Sequence, residues 1–327
     1  MCIALVLGCN HRAPTATSTA TSTATSTPTS TATSTPTSTS TSTSTSTAPA
    51  PAPATPTSTA TPPPYDLPTD LASRITSSRA DLGPATATRV ESDVFLLVAP
   101  RPGPLFDAAT KLTRDALAAL FNDRFRTRPD RAVTAFVFPS QAPYDAFCKK
   151  HLGEPCASSL GVYEPSSREL LVNAGPGLTT LTHELTHAIL RADFPDPPDW
   201  LNEGIASLFE MPVFPRPGEI HGAVNWRLPR LRSALASRTE RAPVTLDALF
   251  AMTRATFRGP DEDLHTAMAR YSCQWLDARG ALWPFYQAWR DGVANDPTGE
   301  KAFARAMGTT PAQATGEWIA WVRALRP

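Results

Sequence analysis

The chain has 327 residues, with 30 Lys+Arg balanced by 30 Asp+Glu. A net charge of zero offers no field to a phosphate backbone or an anionic membrane surface, so nucleic-acid binding is disfavoured. Setting aside an unusual amino-terminal stretch leaves about 260 residues, enough for one large domain or two closely packed lobes with a proper core.

The chain opens with an apolar run, Met1 to Cys9, far shorter than the ~20 residues of a membrane-spanning helix. It reads as the tail of an export signal. Val6-Leu-Gly-Cys9 resembles a bacterial lipobox, which implies cleavage before Cys9, a lipid on that cysteine, and anchorage to the cell envelope, periplasmic or at the cell surface. The Lys/Arg segment that usually precedes such a box is missing, so the true start is expected upstream. From Ala13 to Pro64 every residue is Thr, Ser, Ala or Pro. With no apolar surface to offset ordering entropy, residues 10–64 are expected to form an extended, solvated tether reaching on the order of 150 Å at most.

Ordered structure is expected from Tyr65 to the carboxyl end. The runs 93–99 and 132–138 are apolar, β-branched and aromatic and are bounded by Pro, as buried strands are. Between them, residues 105–125 repeat their apolar positions at helical spacing, and Leu112, Ala116, Leu117, Leu120 and Phe121 form a core-facing stripe. A short helix is expected at 144–151, then strands at 161–164 and 169–173 around the turn Pro165 to Arg168. Cys148 and Cys156 have seven residues between them, a spacing that suits a local disulfide in an oxidising compartment. Beyond Gly175-Pro-Gly177 the pattern turns helical, with helices expected to about Arg191, then at 200–210, 223–236, 262–278, 281–291, 299–307 and 311–324. The division expected is thus a strand-rich part, 65–175, and a helical part, 176–327.

The chemistry concentrates in Leu181-Thr-His-Glu-Leu-Thr-His-Ala-Ile-Leu190 and Trp200-Leu-Asn-Glu-Gly-Ile-Ala206. On a helix, His183 and His187 stand four apart on one face, so their imidazoles can converge on one metal ion. Glu184 is rotated off that axis and suits the general base that deprotonates water beside the metal. A third ligand must come from elsewhere, and Glu203 is the candidate. A His-Glu-x-x-His pattern arises by accident in roughly one chain in a hundred of this size at average residue usage. The apolar flanks, the strands before it and the acidic helix after it make accident a poor account here.

These two motifs together resemble the gluzincin clan of zinc peptidases, most closely its peptidase MA-like branch, and the run Trp-Leu-Asn-Glu-Gly is similar to that of the aminopeptidase members. The resemblance implies an α+β, thermolysin-like fold with a strand-rich lobe, a helical lobe and the zinc helix at their junction. It implies Zn2+ held by His183, His187 and Glu203, with Glu184 as base, and a peptide or protein substrate laid along an edge strand at 161–164. Fifteen residues separate His187 from Glu203, slightly fewer than in the aminopeptidases. By the same resemblance Tyr271, sixty-eight residues after Glu203, is expected to stabilise the oxyanion, with Tyr163 as second candidate. Two further readings stay open: an aminopeptidase, if Glu164 holds a free amine, and a non-catalytic envelope lipoprotein that uses the fold as a scaffold. A scaffold, however, has no need of Glu184.

Overall fold

The computed structural model describes residues 64–237, 239–240 and 242–326. The expected lipid anchor at Cys9 and the tether through residue 63 lie outside the described residues. The first element is a helix absent from the expected elements, α1 (Leu67–Leu82), started by the Asp66 carboxylate accepting from the Thr69 N–H and ended at Gly83 with φ of 96°. Then come β1 (Ala87–Glu91), β2 (Phe95–Ala99), α2 (Pro104–Leu120), β3 (Val133–Phe138), α3 (Gln141–Leu152), β4 (Gly161–Glu164) and β5 (Glu169–Asn173). The helix expected over 105–125 stops at Leu120, because Asp123 turns the chain at φ of 61° and the Ala119 carbonyl at the helix end accepts instead from the Asn122 N–H and Arg124 Nη1.

The five strands form one mixed sheet in the order β1-β2-β3-β5-β4. The pairs β2–β3 and β3–β5 are parallel, while β1–β2 and β4–β5 are antiparallel. The three inner strands are buried along their length because both faces are covered, which is why they read as unbroken apolar runs. Alternation of the pleat divides them: Leu96, Val98, Phe136, Phe138 and Leu171 pack under α1 and α3, and Phe95, Leu97, Val133, Val137, Leu170 and Val172 pack under α2 and the helix that follows β5. A Cys148–Cys156 disulfide ties the end of α3 to the loop before β4. In that sheet β4 is an edge strand, its outer side unpaired by any described strand.

The remainder is helical: α4 (Thr179–Asp193), α5 (Asp199–Leu208), a two-residue hairpin pair β6 (Pro212–Val213) and β7 (His221–Gly222), α6 (Leu228–Ala236), α7 (Leu246–Phe250), α8 (Arg254–Phe257), α9 (Glu262–Asp277), α10 (Leu282–Gly292), α11 (Glu300–Met307) and α12 (Pro311–Ala324). The helix expected over 223–236 starts only at Leu228, where Pro229 is tolerated in the first turn. The hairpin and the short α7 and α8 lack the length to carry a readable period. Trp275, Trp289 and Trp318 are fully buried, and the Trp200, Phe250, Phe285 and Trp289 rings stack and tilt against one another at 4.5–6.2 Å. The fold is therefore mixed α+β, with all five strands of the main sheet before residue 174 and helices dominating after it. The two parts are not separate: one core runs from Phe95 in the sheet through α4 to Val322 in α12.

Candidate metal centre

The helix α4 lies between the sheet and the helical part, and its sequence determines which face meets which. Leu181, Leu185, Ala188 and Ile189, at helical spacing, are buried in the shared core. His183 and His187 stand on another face and line a cleft of about 860 Å³. Their Nε2 atoms are 3.0 Å apart. Glu203 reaches the same point from α5, with Oε2 3.7 Å from His183 Nε2 and Oε1 3.7 Å from His187 Nε2. Three ligand atoms each about 2.1 Å from a tetrahedral ion stand about 3.4 Å from one another. The separation of the two Nε2 atoms and the shortest approach of Glu203 to each imidazole, made by a different oxygen in each case, bracket that value. With one atom from each residue the donors lie within 4.8 Å of one another, so the set could hold one metal ion of the kind that two imidazoles and a carboxylate prefer.

Each ligand has a supporting partner. Asn202 Oδ1 is 2.9 Å from His187 Nδ1, an acceptor that holds the proton on that nitrogen and leaves the Nε2 lone pair to the shared point. Glu210 Oε1 lies 3.4 Å from His183 Nδ1, an ion-pair distance rather than a well-formed hydrogen bond. Arg227 grips Glu210 with two nitrogens at 2.6 and 2.9 Å, and the Asn225 amide donates to it at 2.8 Å. Arg258 donates to Glu203 Oε1 at 2.7 Å and is itself held by Asp199 and Glu262. None of Glu210, Arg227 or Arg258 stands at a readable spacing from the motif, and only the tertiary fold brings them in. The Asn202 position was visible inside Trp-Leu-Asn-Glu-Gly, but not its role.

Crowding of charge separates the protonation behaviour of these groups. Burial pushes the Glu184 carboxyl up to about 7, and the charges of Glu203 and Glu210 add to that, although His183 opposes it. Burial also drives His187 down to about 4. For His183 burial acts in the same direction, but Glu210, Glu184 and Glu203 outweigh it and raise the imidazole to about 9. Burial works against the charged forms of Glu203 and Glu210 as well. His187, His183 and Arg258 nevertheless hold the first at about 2, and Arg227 with His183 holds the second at about 2.

Glu184 is buried and lines the cleft beside β4. A Cβ on Gly161 of that strand would meet Thr180 at 2.5 Å, the Leu171 carbonyl at 3.0 Å and Glu184 Oε1 at 3.2 Å, so only glycine lets the edge strand approach the carboxylate. Tyr163 of the same strand lines the cleft.

Tyr271, expected at the oxyanion, does not. Its ring is fully buried among α9 neighbours, and its hydroxyl donates to the Asn225 carbonyl while accepting from the Asn225 N–H, both at 3.2 Å. Packing of α9 against α6 and the hairpin draws it away from the metal centre, where it props the loop that carries Asn225. Glu164 is likewise engaged, accepting from the Ser166 N–H and hydroxyl in the β4–β5 turn. The other histidines among the described residues have local partners: His151 with Glu169, His221 with Asp277 and Glu219, and His265 with the Phe257 carbonyl. Cys273 is fully buried against α5. A scan against protein-family models and a search of curated proteins find no match to this chain, so the centre is read from its own geometry.

Proposed function

We propose that the protein is a zinc-dependent peptidase, carried on a tether from a lipid-anchored Cys9 at the cell envelope, that hydrolyses peptide bonds by water attack. The observation that carries this reading is the convergence of His183, His187 and Glu203 on one point of a cleft, with the Glu184 carboxylate and an edge strand beside it. When bound, zinc supplies Lewis acidity toward the scissile carbonyl and the attacking water. Glu184 takes the proton from that water and returns it to the departing amine, a role suited to a carboxyl that titrates near neutrality. The open side of β4 offers backbone donors and acceptors to an extended substrate, which binds as an added strand. With the Tyr271 hydroxyl engaged by Asn225, Tyr163 is the tyrosine of this cleft, among the described residues, that suits the carbonyl-oxygen donor. The Cys148–Cys156 disulfide supports an oxidising, extracytoplasmic setting.

The decisive experiment is metal analysis of the protein beside a peptide-library digest. Wild type should carry one zinc and cleave peptides. The Glu184→Gln variant should keep the zinc and lose turnover by ~100-fold or more, as removal of a general base does. Unchanged turnover in that variant, or no metal in the wild type, would sink the reading. Metal without cleavage would favour the scaffold instead.

A further inference from the structure

The cleft carries two arginines that nothing described in the molecule neutralises. Arg191 and Arg254 line it and are exposed. Neither side chain has a hydrogen-bond or ion-pair partner among the described residues. Arg258, in the same cleft, shows the contrast, since Asp199, Glu203 and Glu262 all hold it.

Their places are tied to the metal centre. His183, His187 and Arg191 follow at steps of four along α4, so the Arg191 Cα stands one turn, about 6 Å, past the second histidine on nearly the same face. Arg191 lines the same cleft as Val162 and Tyr163 of the edge strand, where a substrate would run. Arg254 opens α8 one turn before Arg258, whose guanidinium is fixed to Glu203. The acidic residues of the cleft do not cancel the pair. Asp199 and Glu203 are already held by Arg258, Glu184 sits at the metal centre, and Asp196 alone remains as an exposed, unpaired carboxylate.

An unpaired guanidinium facing a cleft is suited to a carboxylate, which it can grip with two parallel N–H donors. An extended peptide advances about 3.3 Å per residue, so the one-turn offset of about 6 Å between His187 and Arg191 corresponds to roughly two residues, and the longer reach of an arginine than an imidazole from the same helix face extends this to two or three. We propose that Arg191 and Arg254 form a carboxylate-binding subsite, so that the preferred substrates are peptides bearing an acidic side chain or a free C-terminal carboxylate two or three residues from the scissile bond. This rests on the peptidase reading and names its substrate class.

The test uses the zinc-loaded protein and a matched peptide set in which Glu or Gln stands at that distance and the C-terminus is free or amidated. The kcat/KM ratio of acid to neutral peptide should be about tenfold in wild type and should shrink as salt is raised, since the pair is exposed. In the Arg191→Gln, Arg254→Gln double variant the ratio should fall toward one, with zinc content held. The peptide that carries the preference identifies the source, side chain or chain end. A wild-type ratio of one for both sources, or a ratio unchanged in the double variant, overturns the subsite. Fluorescence anisotropy of the same peptides on Glu184→Gln protein reads the ratio without turnover. A binding preference there with no hydrolysis by wild type would sink the peptidase reading while sustaining the subsite.

Discussion

At the scale of single residues, the proposed metal centre rests on groups outside its three candidate ligands. Asn202 fixes the His187 ring and Glu210 faces the outer nitrogen of His183. Asn202→Ala and Glu210→Gln should each weaken zinc binding by roughly 10- to 100-fold, read by competition with a chromogenic chelator. Affinity equal to wild type in both would make these partners incidental. The metal-free protonation states add a sign. His183, raised to about 9, is charged at neutral pH and must lose its proton to bind metal, whereas His187, at about 4, is already neutral. Zinc binding at pH 8 should therefore release about one proton, and affinity should drop about tenfold for each unit the pH falls below 8. Calorimetry in buffers of differing ionisation enthalpy measures this, and a proton count near zero would contradict the charged His183.

At the scale of elements, α5 shows how a short helix divides its labour. In Trp200-Leu-Asn-Glu-Gly204 the first two side chains are buried in the aromatic core, Asn202 turns to His187, Glu203 to the metal point, and Gly204 to α9. A Cβ on Gly204 would lie 2.7 Å from Cys273 Sγ and 2.9 Å from the Ala269 carbonyl. The glycine thus permits the two helices to approach closely enough to seat Glu203. Gly204→Ala should cost ~1–3 kcal/mol by overpacking and lower zinc affinity through its neighbour. Adding Cys273→Ala removes the sulfur contact but leaves the carbonyl in the way, so urea unfolding should recover only part of the loss. Full wild-type stability in the single variant would mean that α5 and α9 separate without penalty.

At the scale of the whole molecule, Asp193 joins segments distant in sequence. Its Oδ1 accepts from the Arg126 and Thr127 N–H groups at 3.0 and 2.6 Å, and its Oδ2 from the Tyr286 hydroxyl and Arg290 at 2.9 and 2.6 Å. The end of α4, the loop after α2 and helix α10 meet at one buried carboxylate. Asp193→Asn should destabilise by ~3 kcal/mol, since it leaves the largely buried side chain of Arg290 with the exposed Asp291 as its remaining carboxylate partner. Burial opposes the Asp193 charge, but Thr127, Arg290 and Tyr286 outweigh it and hold the carboxyl below its ordinary value. Its contribution is accordingly present above the unfolded value of about 3.9 and is lost as pH falls through the folded one. The variant should show a shallower loss of stability on acidification than wild type in pH-dependent urea melts. Parallel curves would remove Asp193 as the acid-sensitive joint.

What the sequence determined by itself was whatever local spacing or continuous burial writes into a run of residues. The apolar runs at 93–99 and 132–138 became β2 and β3 because both their faces are covered, and the turn at 165–168 set β4 and β5 at the expected bounds. The His-Glu-x-x-His spacing placed two imidazoles on one helical face, since 3.6 residues per turn leaves no other arrangement. Tertiary structure decided what depends on contacts between distant segments. It brought Glu203 to the histidines, as expected, and also Glu210 and Arg258, which no spacing links to them. It covered the sheet with α1, whose Leu71, Ile75 and Leu82 recur at helical spacing and pack on the sheet, but stand as a few apolar positions in an otherwise polar helix. It carried Tyr271 into the core and left Tyr163 at the cleft, because a tyrosine reads the same in either place until packing assigns its hydroxyl a partner.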